Sequence, residues 1–186
     1  DVCSSDLVER FIPSFGATSM EVDEMFETIL VPIDGSDHAN KAVDLAADLA
    51  GKFKAKIVLL HVLLNHISVS ELIKLCDELK APDDLKKQLG EIEDVVLNTA
   101  AAAYGPVPIP VPVNLLEEVG FLIADSAKQL AEAKGAKNVE THVRDGEPAE
   151  LILAAAEHEK PDAIVMGSRG LGHISGMLMG SVSHKV

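Results

Sequence analysis

Several residue types are scarce in this sequence, and each shortage excludes a class of protein. The 186 residues include two cysteines, one tyrosine and no tryptophan. Cys3 and Cys76 are far apart and lack a metal-binding or redox spacing, which predicts no disulfide framework and fits a reducing cytoplasm. The histidines show no metal-ligand spacing either, so we expect no metal site. The lack of tryptophan and near-lack of tyrosine exclude an aromatic platform for single-stranded nucleic acid.

Positive charge and long apolar runs are scarce as well. Lysine and arginine number 16 against 30 acidic residues, giving a net charge of -14. A nucleic-acid backbone needs clustered cations, so we expect no nucleic-acid partner. The longest apolar stretch, residues 100–113, is broken by four prolines, and the acidic start is unlike a secretory signal. We therefore expect no membrane association and a cytoplasmic location.

The two ends of the sequence have unusual features. The start, "DVCSSDL", resembles a translated sequencing adapter, so we expect residues 1–25 to be a non-native or disordered extension and Met20 or Met25 to be the true start. Residues 26–186 then form one α/β domain. The chain ends at Val186, shortly after a helix start, which suggests a C-terminal truncation.

Buried strands alternate with helices along this domain. The apolar, β-branched runs predict strands over residues 28–33, 56–63, 138–144 and 162–167. Ser36 is a candidate N-cap for a helix that Gly51 ends, a second helix covers Val119 to Lys134, and a third runs from Pro148 to about Glu159. The alternation predicts a doubly wound, mostly parallel sheet of the Rossmann-like kind.

An interruption of about residues 65–114 separates the second strand from the next helix of this pattern. It carries two amphipathic faces, one around Leu72 and Cys76 and one from Leu85 to Val96, and Gly90 is a predicted helix break. A helical hairpin that covers the sheet edge or a partner surface is the first reading. A specialised lid over a ligand is the alternative.

Two loops with unusual chemistry follow strand ends, "DGS" after the first strand and "GSRGLGHISGMLMGS" after the fourth. Ligands of doubly wound sheets bind beyond the carboxyl ends of the strands, so we place these loops side by side there. The glycine loop is neither a Rossmann fingerprint nor a Walker loop. It does fit the pattern G-x2-G-x9-G-[ST], through Gly167, Gly170, Gly180 and Ser181.

With the strand "ILVPIDGS", the strand "LLHVL" and the segment "DAIVMGSRGLGHISGMLMGSVSHKV", the sequence resembles the universal stress protein family. The similarity covers about residues 26–64 and 115–186. The resemblance implies a five-stranded sheet, of which we expect the fifth strand to be missing from this chain. It also implies adenine-nucleotide binding and homodimerisation of the complete protein.

The residue types of the glycine loop suit a phosphate independently of the family resemblance. Gly167 and Gly170 would let backbone amides approach phosphate oxygens, and Gly180 and Ser181 stand where a helix start exposes further amides. The Ser181 and Ser183 hydroxyls would add donors. The competing reading is a flexible surface loop in which Gly180 only opens a helix.

The resemblance assigns further residues to the nucleotide. Asp34 matches the aspartate on the ribose and adenine side, although on local evidence it could equally cap the following helix. Pro32 and Val62 match positions that flank the adenine, and Met166 and Val182 flank the glycine motif. Arg169 could pair with phosphate, but solvated arginines are more common.

Two functions from different classes remain open. The first is an ATP-binding stress-response module, with ATP carried as its Mg²⁺ complex, whose occupancy sets conformation or partner choice. The second is an ATP-hydrolysing or nucleotide-transferring enzyme of a related fold, for which we would expect a general base or clustered carboxylates beside the cradle. Asp34 alone is thin support for catalysis, so we predict no catalytic residue.

Overall fold

The computed structural model describes residues 26–65, 67–102, 110–171 and 179–186. The elements are, in chain order, β1 (Thr28–Ile33), α1 (Asp37–Phe53), β2 (Lys56–Val62), α2 (Val69–Glu78), α3 (Asp83–Ala102), α4 (Val113–Ala133), β3 (Val139–Arg144), α5 (Pro148–Glu159), β4 (Ala163–Ile164) and α6 (Ser181–Lys185). The predicted α/β class is confirmed. The expectation for residues 1–25 lies outside the described residues.

The four strands form one parallel sheet in the order β3-β2-β1-β4. The chain steps from β1 to β2 to β3 in one direction and then crosses back, so that β4 pairs with the other side of β1. This reversal is the doubly wound pattern, and it places a topological switch point between β1 and β4. The five-stranded sheet of the complete fold, with its fifth strand missing from this chain, stays a prediction.

Helices cover both faces of the sheet, which explains why β1 and β2 are nearly continuous apolar runs. Ile29 and Val31 face the larger core, which contains the buried sides of α1, α2, α3 and α4. Leu30 faces the smaller core, where Ile152 of α5 and Val182 of α6 pack.

The N-cap of α1 is as predicted, but its end is not. The Ser36 hydroxyl accepts a hydrogen bond from the Ala39 amide at 3.2 Å. Gly51 was predicted to end the helix and does not, because α1 continues to Phe53. An exposed glycine inside a helix costs only about 1 kcal/mol. Burial of Phe53, whose ring packs 5.1 Å from that of Phe26, outweighs that cost.

Other element boundaries also differ from the sequence predictions. Helix α4 begins at Val113 and not at Val119, because Leu115 and Leu116 are buried in the larger core and add turns. Strand β4 is shorter than predicted, since only Ala163–Ile164 pair with β1. Strands β2 and β3 and helix α5 lie within one residue of their predicted bounds.

The segment predicted as a helical hairpin holds α2 and α3. Ser68 caps α2 in a reciprocal capping box with Glu71. Leu72 and Leu89 are fully buried in the larger core, so the hairpin is part of that core. Gly90 was predicted to break a helix of the hairpin, but α3 continues through it to Ala102. Among the described helices, none combines the length and apolarity needed to cross a bilayer.

Candidate functional site

A cavity of about 360 Å³ lies at the carboxyl ends of β1, β2 and β4. This position is the switch point of the sheet, and the volume suits a small-molecule ligand. All of the site residues predicted from the sequence line it, namely Pro32, Asp34, Val62, Met166, Gly167, Arg169, Gly170, Gly180, Ser181, Val182 and Ser183. The structure therefore brings these separate segments to one place.

The cavity has two chemically different ends. The connection that leaves β2 contributes apolar side chains, Leu63, Leu64 and Ile67. The segment after β4 contributes glycines and serines, with α6 beside them. Because β1 stands between β2 and β4 and strands are about 4.8 Å apart, the two ends are separated by roughly 10 Å.

The three glycines of the loop motif differ in what an added side chain would meet. A Cβ at Gly167 would lie 2.9 Å from the backbone of His38 at the start of α1, and a Cβ at Gly170 would collide with the Asp34 carboxylate. Both are therefore required by the packing of the loops. At Gly180 the nearest atoms would be 3.5 Å away, in Arg169 and Ser168. The fold does not require glycine there, although Gly180 lines the cavity.

Hydrogen bonds close the base of the glycine loop. The Gly180 amide donates to the Ser168 carbonyl at 2.7 Å. The Ser183 hydroxyl lies 2.9 Å from the same carbonyl and 3.1 Å from that of Gly180. The amide and hydroxyl that were expected to face a ligand thus already have protein acceptors. Residues 172–178, with His173, lie outside the described part of the loop.

Helix α6 is anchored although it is short. Val182 packs in the smaller core, and the Lys185 ammonium lies 3.0 Å from the Glu147 carboxylate that precedes α5. These contacts hold Ser181 and Ser183 against the cavity.

Asp34 joins the two loops. Its Oδ1 accepts a hydrogen bond from the Ser36 amide at 3.0 Å, and its Oδ2 accepts one from the Leu171 amide at 3.2 Å. The predicted adjacency of the loops is confirmed. The reading of Asp34 as the cap of α1 is wrong, because the Ser36 side chain is the N-cap.

Charged side chains are few around the cavity. Among the described lining residues, Arg169 is the only lysine or arginine, and its side chain is exposed. Asp34 is likewise the only carboxylate in that set. Within the described ranges no group of three or more His, Cys, Asp or Glu side chains could hold a metal ion.

Sequence reasoning missed the lining residues between β2 and α2. The cavity is also lined by Leu63, Leu64, Asn65 and Ile67, which were assigned to the end of a strand or to the interruption. Asn65 is oriented by donating its side-chain amide to Asp145 at 2.8 Å. The apolar "LL" that follows β2 was the available signal, since apolar residues past a strand end must cover something.

His61 lies behind the site, on the larger-core face of β2. Its Nδ1 is 3.0 Å from the Ile33 carbonyl at the end of β1, and the ring is fully buried. Desolvation lowers the pKa of His61, against the opposing effects of the hydrogen bond to Ile33 and the charge of Asp34. The ring is therefore neutral, and its Nδ1–H fixes the carbonyl that precedes Asp34.

The doubly wound α/β fold, with a ligand-sized cavity at its switch point, is of the Rossmann-like class. The chain belongs to the universal stress protein family, whose model matches residues 25–186.

Curated relatives and solved structures agree with this assignment. Universal stress protein YxiE of Bacillus subtilis is 34% identical over 162 residues, which cover 87% of this chain and 92% of the relative. Universal stress protein Rv1636 of Mycobacterium tuberculosis is 31% identical over 161 residues, covering 87% and 88%.

Two solved structures share the fold. A universal stress protein in complex with cAMP matches with a TM-score of 0.51 and 24% identity, over 86% of this chain and 87% of that one. A universal stress protein from Archaeoglobus fulgidus matches with a TM-score of 0.52 and 18% identity, over 86% and 84%. At these identities the likeness concerns the fold.

Proposed function

We propose that this universal stress protein binds ATP in the cavity at the switch point, and that occupancy regulates its conformation or its choice of partner. The observation that carries the proposal is the convergence of the predicted residues on one ligand-sized cavity. The solved family member in complex with cAMP holds an adenine nucleotide, and this chain shares its fold.

The two ends of the cavity suit the two ends of a nucleotide. Pro32, Val62 and Leu64 offer an apolar surface for the base. Gly167, Gly170 and their neighbours offer backbone that a phosphate can approach closely. Gly180 accords with this assignment, because it lines the cavity and the fold itself does not require glycine there.

Mg²⁺ would arrive with the nucleotide. Asp34 is the only carboxylate among the described lining residues, and backbone amides already bond both of its oxygens. Phosphate oxygens and water are the ligands that Mg²⁺ prefers in such sites, and they would supply its coordination. The same shortage of carboxylates favours a binding module over the enzyme alternative.

The proposed assembly and location follow the family resemblance. We propose a homodimer of the complete protein, as the family resemblance implies. Cys76 is a free, buried thiol, which accords with the reducing cytoplasm that we propose as the location.

Calorimetric titration with Mg-ATP tests the binding proposal, with cAMP titrated alongside. We expect wild-type protein to bind ATP and Gly180→Val to bind at least about tenfold more weakly, because the side chain would fill the cavity. Gly180 has an extended backbone that valine adopts readily. Its thermal unfolding without ligand checks that the variant folds.

The matched control is Gly51→Val, at an exposed helical position where a Cβ would meet no atom within 4 Å. It should leave the affinity unchanged. Absence of binding at millimolar ATP would overturn the proposal. Phosphate release measured in the same samples separates the module from the enzyme, since turnover well above background would favour the enzyme.

A further inference from the structure

Asn65 is a polar residue at the apolar end of the cavity. The described lining residues between β2 and α2 are Leu63, Leu64, Asn65 and Ile67. Leu63 is buried, whereas Asn65 is exposed, so Asn65 lies at the mouth of this end. Of this described segment, only Asn65 has a side chain that can form a hydrogen bond with a base bound there.

The hydrogen bond to Asp145 determines which atom Asn65 presents. An asparagine side chain carries a carbonyl oxygen that accepts and an NH₂ group that donates, whereas a carboxylate only accepts. The contact of 2.8 Å with the Asp145 carboxylate therefore uses the amide nitrogen of Asn65. The carbonyl oxygen is on the other branch of the planar amide, so it faces away from Asp145.

Backbone hydrogen bonds hold the same loop in place. The Leu63 amide donates to the Arg144 carbonyl at 2.9 Å, and the Asn65 amide donates to the Leu63 carbonyl at 2.9 Å. The connection after β2 is thus fixed to the end of β3 on both sides of Leu64. Asp145 does not line the cavity, so it acts on a ligand through Asn65.

We propose that Asn65 is a specificity-determining residue, whose carbonyl oxygen accepts a hydrogen bond from the 6-amino group of adenine. Asp145 is the positioning residue that keeps this oxygen, and not the NH₂ group, available. The inference rests on the proposed function and adds to it a reason for choosing a 6-amino purine. A 6-oxo purine would place a second acceptor against the Asn65 oxygen, and neither oxygen could donate.

Three nucleotides that differ only at this position of the base test the proposal. They are ATP, purine riboside triphosphate, which has no group there, and inosine triphosphate, which has an oxygen. By calorimetric titration of wild type, we expect ATP to bind about fivefold more tightly than purine riboside triphosphate and at least about tenfold more tightly than inosine triphosphate. All three carry the same triphosphate, so their affinity ratios report on the base alone.

Asn65→Ala should bring ATP and purine riboside triphosphate to within about twofold of each other, because the acceptor is gone. If Asn65 only connected two loops, the variant would bind all three nucleotides more weakly by the same factor. Unchanged ratios would therefore overturn the proposal.

Asp145→Asn tests the orientation while leaving Asn65 in place. The new amide offers a donor as well as an acceptor, so the Asn65 side chain is free to turn and present its NH₂ group to a 6-oxo purine. The preference for ATP over inosine triphosphate should fall at least about fivefold. The exchange variant, Asn65→Asp combined with Asp145→Asn, presents only acceptor oxygens and should restore the preference. An unaltered preference in Asp145→Asn would contradict its positioning role.

The matched control is Asn138→Ala. Asn138 is exposed, precedes the amino end of β3 and does not line the cavity. It should keep the ratios of wild type, and thermal unfolding without ligand checks that each variant folds. Absence of binding for all three nucleotides would overturn the proposed function and this inference together, whereas equal binding of ATP and purine riboside triphosphate by wild type would overturn the inference alone.

Discussion

At the scale of single residues, His61 shows how a buried polar group is tolerated beside the site. The Ile33 carbonyl can only accept a hydrogen bond, so His61 Nδ1 must carry the proton. Nε2 has no hydrogen-bond partner among the described residues. Protonation would place a second N–H donor in a buried site without an acceptor. Gly120 of α4 lies against the ring, where a Cβ would be 2.9 Å from Cδ2.

The lowered pKa of His61 predicts a loss of stability in mild acid. The unfolded chain takes up a proton near the ordinary pKa of 6.5, whereas the folded protein does so only at lower pH. Between those two values the unfolded state binds more protons, so the free energy of unfolding falls as pH decreases below 6.5, by at most about 1.4 kcal/mol per pH unit. Urea unfolding between pH 5 and 7.5 measures this slope. His61→Asn, which keeps a donor but does not titrate, should show a shallower slope.

The control for this measurement is His184→Asn. The exposed His184 lies in the last turn of α6. Its replacement should preserve the slope of the wild type. Equal slopes for wild type and His61→Asn would show that His61 does not carry the acid sensitivity.

At the scale of secondary structure elements, the hairpin of α2 and α3 is part of the main core. Gly35, in the loop after β1, has a φ of 85° that favours glycine, and its Cα faces Leu75 of α2. Leu89 of α3 is fully buried, whereas Leu97, further along the same helix, is 61% exposed. The N-terminal half of α3 thus carries the packing.

This difference in burial predicts a large and a small loss of stability for two chemically identical substitutions. Leu89→Ala should lower the free energy of unfolding by about 2–5 kcal/mol, because it removes a fully buried side chain and leaves a cavity. Leu97→Ala should change it by less than about 0.5 kcal/mol. Urea unfolding of the two variants measures both values. A small effect at Leu89 would mean that the hairpin is only loosely attached to the domain.

The elements show what sequence reasoning could and could not predict. Strand β1 and helix α5 were predictable because short apolar runs and Pro148 are strong local signals. The end of α1 was not, since Gly51 is a local stop signal that the packing of Phe53 overrides. The length of β4 depends on pairing with β1, which is a long-range property that no local pattern encodes.

The candidate site divides in the same way. The glycine spacing from Gly167 to Gly180 was readable because it is local in sequence. The bond from Leu171 to Asp34 was not, because it joins residues 137 positions apart. The hydrogen bond from the Gly180 amide to the Ser168 carbonyl, which closes the loop, could likewise be seen only in the folded backbone.

At the scale of the whole molecule, the two helices of the hairpin lie outside the cavity. The larger core on one face contains α2 and α3, and no described residue of either helix lines the cavity. Residues of both cores do line it, among them Leu63 of the larger core and Ile152 of the smaller. This arrangement favours the reading of the hairpin as a cover and not as a lid.

The stability added by nucleotide and the stability lost in the hairpin should therefore be additive. ATP at 100 times its Kd adds about 2.7 kcal/mol to the free energy of unfolding of a protein that binds it only when folded. Sites without shared partners behave independently to within about 0.5 kcal/mol. Leu89→Ala should thus gain the same increment from ATP as wild type, although it starts from a lower stability. Urea unfolding with and without Mg-ATP, at concentrations set from each protein's own titration, measures the increment, and a Kd for Leu89→Ala more than about tenfold weaker would instead make the hairpin a lid over the ligand.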